Sequence, residues 1–370
     1  SFFTNGHVQV DGQKMSKSLG NFIILQDAVA RWSPDGMRFG LADSGDTLDD
    51  GNFEGAVADN GVLRLTTEEA AFKEVIDSMP TLRKAEAADW HFLDKAFHGR
   101  MMQSMAAAAE AYDNMRFQAA LKFGFWEMLQ ARDKYRDACA KISLPMHAGL
   151  MQRFMTNLVI AIAPICPHWA DHMYTTVLND LPGTSLFKEA SWPAPEAYDA
   201  EAVTTAAWLE GRVSTWRASI AKDGKRLKTS GKPAKCTVYV GTQYSDWELE
   251  VLNVLRRHFN PEAVDFDPTV FKAVAAVIKG NPAYKPHTGN AMNFAKGKVD
   301  AAKGGEGAAC LSAELSTDEI GLLQANLPYV KECLDTPALE VLDAAKEPES
   351  NKRAGRARPS APIFYVSEWQ

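Results

Sequence analysis

Two lysines three positions apart, Lys14 and Lys17, stand in "GQKMSKSLGN" among small residues. An ammonium group is a compact charge with three donors, and a loop carrying two of them can close over a polyphosphate as charge develops on its leaving group. Opposite unit charges ~4 Å apart at a partly screened site attract by ~4 kcal/mol. Lys14 and Lys17 can therefore steady a departing pyrophosphate without touching the reacting carbon. Ser16 and Ser18 offer hydroxyls that fix the loop, and Gly20 lets the chain turn. An arbitrary K-x-x-K is more often only a solvated basic loop.

A second concentration of charge lies further along. The chain carries a formal net charge of −7, yet residues 211–235 hold eight Lys or Arg against one acid, Asp223, a local +7 that leaves −14 elsewhere. Within it Arg217, Lys222, Lys225, Arg226, Lys228, Lys232 and Lys235 are candidates for a phosphodiester backbone, which would add affinity that falls with salt and carries little sequence information. A solvated face is the equal alternative. Arg256, Arg257, Lys352, Arg353, Arg356 and Arg358 could extend the footprint.

Other clusters point away from chemistry. His168 and His172, one helical turn apart beside Cys166 and Asp171, could face a metal, but no third ligand has zinc-site spacing; no protein-bound metal is expected. Asp43, Asp46, Asp49 and Asp50 invite magnesium, although short acids favour helix N-termini and turns, and capping is the preferred reading. "AKGGEGAA" (302–309) lacks the Lys-Ser or Lys-Thr of a phosphate-binding loop and is expected to be flexible. Five cysteines without a CxxC pair read as reduced core thiols.

The elements that must position these residues follow from periodicity. "HVQVDGQK" alternates as a strand and turns at Asp11-Gly12, so the lysine loop hangs from a hairpin. Ser33 and Pro34 fit the N-cap and first position of a short helix. From about Phe53 to Leu178 the period is helical, with stripes through Leu93, Phe97, Met101, Met105, Ala108 and Tyr112, through Phe117, Leu121, Phe125, Met128, Arg132, Tyr135 and Cys139, and through Leu150, Phe154, Leu158 and Ile162. Long amphipathic helices with short connections predict an antiparallel bundle. After the proline-rich "SWPAPEAY", a helix runs into the basic stretch, "CTVYVG" reads as a strand, and "ALEVL" and "PIFYV" as two more. Ser245 with Glu248, and Ser316 with Glu319, fit capping boxes. "ESNKRAGRARPS" reads as a basic, mobile stretch. The expected domains are 1–52 with the lysine loop, a helical bundle over 53–198, a helix and basic linker over 199–235, and a small α/β domain over 236–370. No run approaches the ~20 apolar residues of a membrane span, and the first ten residues show no signal peptide.

"KMSKS" followed by "LGNF" resembles the signature loop of the class I aminoacyl-tRNA synthetases, a continuation the cysteinyl enzymes share. The flanks discriminate. "NGHVQVDGQKMSKSLGNF" and "SPDGMRFGLADSGDTLDDGNF", with "APICPHWADHMY", "ASWP", "KPAKCTVYV" and "VLRRHF" further on, resemble the leucyl-tRNA synthetases of the archaeal and eukaryotic cytosolic type. The resemblance implies a mainly α fold: an antiparallel, anticodon-binding-like bundle, preceded by the tail of a Rossmann-type catalytic domain and followed by a small α/β domain that binds tRNA. It implies a cytoplasmic ligase that activates leucine with ATP and passes it to tRNA(Leu), with Mg2+ carried by the nucleotide. Lys14 and Lys17 would be catalytic, and Met15, Ser16 and Ser18 would complete the ATP loop. Shape of the tRNA, not the anticodon, would be read. Membership in a multi-synthetase assembly is left open. No HIGH-like tetrapeptide occurs in the 370 residues, so the chain is expected to be the C-terminal portion of such an enzyme, without its editing domain and inactive alone. The alternative is a non-catalytic RNA-binding or interaction module derived from a class I synthetase.

Overall fold

The computed structural model describes residues 6–46, 49–228, 234–313, 318–336, 338–348 and 350–368, and divides into two compact units, Ser1–Glu210 and Gly211–Gln370. The fold is mainly helical, as the periodicity predicts.

The first unit opens with a three-stranded sheet. β1 (Val8–Val10) pairs antiparallel with β2 (Gln13–Lys14) and parallel with β3 (Gly51–Phe53), which puts β1 in the centre. Asp11 and Gly12 join β1 to β2 with φ of 50° and 77°, the left-handed pair that a two-residue hairpin needs. The helix predicted from Ser33 forms, but a further segment precedes it. α1 (Leu25–Asp43) breaks at Ser33, whose φ of 63° and ψ of 167° lie in a region otherwise left to glycine, and the Ser33 Oγ accepts the Gly36 N–H at 3.3 Å. Packing of Ala28 and Trp32 against Phe53 and Ala58 holds the extra segment. α2 (Gly55–Ser78) approaches α1 closely, because a Cβ at Gly61 would stand 2.7 Å from Phe39 Cδ1 and one at Gly36 2.6 Å from Val62 Cγ2.

α3 (Phe92–Asp113), α4 (Phe117–Leu121), α5 (Met128–Lys141) and α6 (Ala148–Ile162) carry the predicted stripes. All of the stripe residues except Tyr112 and Phe117 are buried. Phe117 is the departure: it starts α4 beside the α3–α4 turn and stands 43% exposed. Between α4 and α5 the helix widens into a π turn over Lys122–Glu127, which the 3.6-residue period cannot announce. Arg132 sits in its stripe because the buried Glu68 carboxylate takes both of its terminal nitrogens, and Arg64 reaches the same carboxylate at 2.9 Å. Such a charge is tolerated inside only when paired. α7 (Pro167–His172), a second π turn at Met173–Leu178 and the short α8 (Leu186–Glu189) close this part. α9 (Ala200–Lys228) carries the chain from the first unit into the second.

In the second unit β4 (Ala234–Val240) is central, parallel to β7 (Leu339–Asp343) and antiparallel to β8 (Ile363–Glu368). All three strands fall where the sequence placed them. α10 (Asp246–Arg257), α11 (Val270–Gly280) and α12 (Thr288–Ala301) bury Val251, Leu255, Val274, Ile278 and Ala295 in one core, and a small ladder of β5 (Phe259–Asn260) and β6 (Asp265–Phe266) edges it. The Glu248 carboxylate accepts the Ser245 N–H, the return bond of the expected capping box, and the Ser245 hydroxyl donates to it as well. α13 (Glu319–Ala325) and α14 (Leu327–Leu334) complete the unit, and the side chain that caps α13 is Asp318, which accepts the Gly321 N–H at 2.9 Å. The expected cap, Ser316, lies outside the described residues.

Two expected loops are structured. Residues 302–311 form helical turns because Ala302 and Leu311 are drawn into the α10–α12 core. The segment expected to be mobile near the end is pinned. Ala354 and Ala357 pack with Tyr239 against the sheet, the Arg353 guanidinium lies 3.3 Å from the Tyr365 ring centre, and Arg358 pairs with the buried Glu248.

Candidate functional site

The lysine loop leaves β2 at Lys14 and returns through Asn21. Lys14 and Lys17 are both exposed, Met15 and Ser16 half-buried, and Ser18 exposed. Neither lysine forms an ion pair within 4 Å among the described residues; Lys17 Nζ rests 5.6 Å from the Phe22 ring centre. Their charges face solvent. The Ser16 and Ser18 hydroxyls lie 2.7 Å apart, and the Gly20 N–H reaches the Lys17 carbonyl at 3.3 Å with Gly20 at φ 71°. Asn21 spans the loop: its Oδ1 accepts the Ser16 N–H at 2.8 Å, and its Nδ2 donates to the Lys14 carbonyl at 3.1 Å.

Behind the loop the acidic segment serves as a brace. The Asp50 carboxylate accepts the His7 N–H at 2.7 Å and the Gln9 side-chain amide at 3.3 Å, and these bonds hold its pKa below the usual carboxylate range. Asn52 Oδ1 accepts the Gly12 N–H at 2.7 Å, and the Asp11 N–H reaches the Phe53 carbonyl at 3.0 Å. Both ends of the hairpin are thus held by one segment. Asp46 accepts the N–H groups of Gln118 and Ala119 at 2.7 and 2.9 Å, capping α4 from outside it. The carboxylates of Asp46 and Asp50 are thus taken by backbone N–H groups. Asp43 is half-buried with its pKa raised, first by burial and then by Glu54. Among the described residues no group of three or more His, Cys, Asp or Glu is placed to hold a metal ion.

The loop's sheet is tied to the bundle through α1. Arg38 donates to the carbonyls of Ile165 and Pro164 at 2.8 and 2.6 Å, satisfying acceptors just beyond α6. Asp35, buried, accepts the Trp169 N–H at 2.6 Å and faces His168 Nδ1 at 2.9 Å, so it caps α7. His172 turns to Glu69, 3.4 Å away. Both histidines are exposed, and each faces a single carboxylate. Cys166 is buried with its thiol pKa pushed far up by burial.

The basic candidates separate by environment. Arg217 donates its Nε–H to the Cys333 carbonyl at 2.7 Å, and Lys235 pairs with Glu340 at 2.8 Å. Lys222 is exposed on α9. Lys225, Arg226 and Lys228 belong to the last turns of α9, and Lys232 lies outside the described residues. Of the extension, Arg353 and Arg358 are used in packing, Arg256 bonds Asn253, and Arg257, Lys352 and Arg356 are exposed. Sequence reasoning did not find Asn21, Asn52, Asp35 or Arg38. A short amide placed one residue beyond a loop's glycine was the available signal for Asn21; the other three act across 40 to more than 120 residues of chain.

Comparison with known proteins finds two family matches within the chain. The family described as "tRNA synthetases class I (C) catalytic domain" matches residues 1–46, and "Anticodon-binding domain of tRNA ligase" matches residues 94–232. The cytoplasmic leucine–tRNA ligase of Pongo abelii is 33% identical over 92% of this chain and 29% of its own length, and that of Dictyostelium discoideum 29% identical over 98% and 34%. The leucine–tRNA ligase of Methanothrix thermoacetophila is 25% identical over 98% of this chain and 35% of its own. The chain spans about a third of the length of these relatives.

Proposed function

We propose, from its similarity to cytoplasmic leucine–tRNA ligases over 92% of its length or more, that this chain supplies the ATP-facing lysine loop and tRNA-holding surfaces of a leucine–tRNA ligase. The reaction is activation of leucine by ATP, with Mg2+ travelling on the nucleotide, followed by transfer to tRNA(Leu). Pyrophosphate leaves as the leucine carboxylate attacks the α-phosphorus, so negative charge grows on the β- and γ-phosphates, away from the new bond. Lys14 and Lys17 would meet that charge, while Met15, Ser16 and Ser18 would shape the loop. One observation carries the reading: two exposed ammonium groups without an ion pair among the described residues stand on a loop whose backbone Asn21 ties at Lys14 and Ser16, above a hairpin turn held by Asn52. A rigid mount keeps the donors aimed before charge develops, which is where such donors contribute most.

The loop's surroundings support it. Leu19 is 65% exposed and Leu25 74% exposed, with Phe22 and Ile24 between them also open to solvent. An apolar collar of this kind is expected where more protein surface covers the loop, and that surface would supply the sites for adenine, ribose and leucine. The 370 residues alone are proposed to be inactive, and cytoplasmic placement follows the names of the relatives.

The test is leucine-dependent ATP–pyrophosphate exchange by the full-length ligase containing this chain. Lys17→Ala should slow activation by on the order of 100-fold, near the cost of deleting one oxyanion donor. Exchange at the parental rate would leave the non-catalytic module as the better reading.

A further inference from the structure

We infer that Asn21 is a positioning residue for the lysine loop, a single carboxamide that fixes the backbone from Lys14 to Ser16 and so aims both ammonium groups; the inference rests on the proposed role of those groups. The Ser16 N–H can only donate and the Lys14 carbonyl can only accept, so the amide orientation of Asn21 is fixed by its partners. At 2.8 and 3.1 Å both contacts are sound hydrogen bonds. Together they mimic the donor–acceptor pairing of a strand neighbour just where β2 runs out, at Lys14. With those two bonds made, Asn21 faces the loop backbone, and its part is to place the groups that meet phosphate.

Other side chains of similar size cannot repeat this. An aspartate lacks the donor for Lys14, a serine lacks the reach, and alanine leaves the loop to the Ser16–Ser18 hydroxyl contact and the Gly20 turn. The opposite end of the hairpin has its own tie, Asn52 to Gly12. Loss of Asn21 therefore loosens the loop while the hairpin below stays in register.

In the full-length ligase, Asn21→Ala should lower kcat/KM for ATP in pyrophosphate exchange roughly 10- to 100-fold, the range expected when catalytic groups are misplaced rather than removed. The KM for leucine and the Tm should stay at parental values. Combined with Lys17→Ala it should add much less than it costs alone, since a positioning residue acts through what it positions. Asn21→Asp, keeping one of two bonds, should fall between parent and alanine variant. The inference is overturned if Asn21→Ala stays within twofold of the parent while Lys17→Ala is slow, if the two losses multiply in full, or if Asn21→Asp is as active as the parent. Should Lys17→Ala itself be neutral, the parent reading of the loop has failed, a result separable from the others.

Discussion

At the scale of residues, this chain uses charge in two ways. On the lysine loop it is left open to solvent; inside the bundle the buried Glu68, Arg132 and Asp94 are each held in ion pairs. Asp94 shows the second use: its carboxylate takes Arg83 at 2.7 and 2.9 Å and the Tyr135 hydroxyl, while the same tyrosine oxygen accepts the His147 N–H at 2.8 Å. Burial raises the tyrosine's pKa far above its ordinary value, and the neighbouring Cys139 and Asp94 add to it, so it stays neutral. On the same helix His98 is buried, with Arg153 NH1 at 3.1 Å from its Nε2 and the Glu196 carboxylate at 3.6 Å. Burial and then Arg153 lower its pKa, with Glu196 opposing. A histidine lowered in the folded state binds its proton more readily when unfolded, so its contribution is complete above the unfolded pKa of about 6.5 and is lost as pH falls below it. Thermal unfolding between pH 7.5 and 5.5 should therefore show a smaller fall in Tm for His98→Gln than for the parent. Parallel curves would remove His98 from the account.

Among elements, what can be foretold depends on how local its cause is. The stripes of α3, α5 and α6 announce themselves because each helix buries one face, and the β4, β7 and β8 strands because apolar runs end at glycine or polar residues. The first half of α1 did not, since Trp32 and Ala28 gain their burial from Phe53 and Ala58, some 20 to 30 residues away. The turns at 302–311 escaped for the same reason: their glycines argue for looseness, and only the core behind Ala302 and Leu311 says otherwise. At the lysine loop the charges were legible and the brace was not. Asp46 is instructive, because capping was the expected use of the acidic segment but the capped helix, α4, lies about 70 residues on. Asp46→Ala removes an anion from the first turn of α4 and should cost ~1 kcal/mol, the usual value of a lost cap. Denaturant titration would read that loss, and amide exchange at Gln118 and Ala119 should quicken most. Unchanged exchange there would mean that Asp46 does not cap in solution.

For the whole molecule the relevant quantity is how charge is shared out. A chain with −7 overall repels nucleic acid at most points, so a local +7 between residues 211 and 235 can orient an RNA on one region while the rest discourages stray contacts. Not all of that charge is available. Arg217 is committed to the Cys333 carbonyl and Lys235 to Glu340, whereas Lys222 stands exposed on α9. If tRNA(Leu) lies along this stretch, Lys222→Ala should weaken binding at low salt and reduce the slope of log affinity against log salt by about one, whatever the RNA sequence. Arg217→Ala should instead lower the Tm, because the Cys333 carbonyl it serves in the last turn of α14 loses its donor. Anisotropy titrations of a tRNA(Leu) transcript at several salt concentrations, alongside unfolding curves, separate the two. A Lys222→Ala protein with the parental slope would move the RNA path away from α9, and an Arg217→Ala protein with parental Tm but weaker RNA binding would return that arginine to the binding surface.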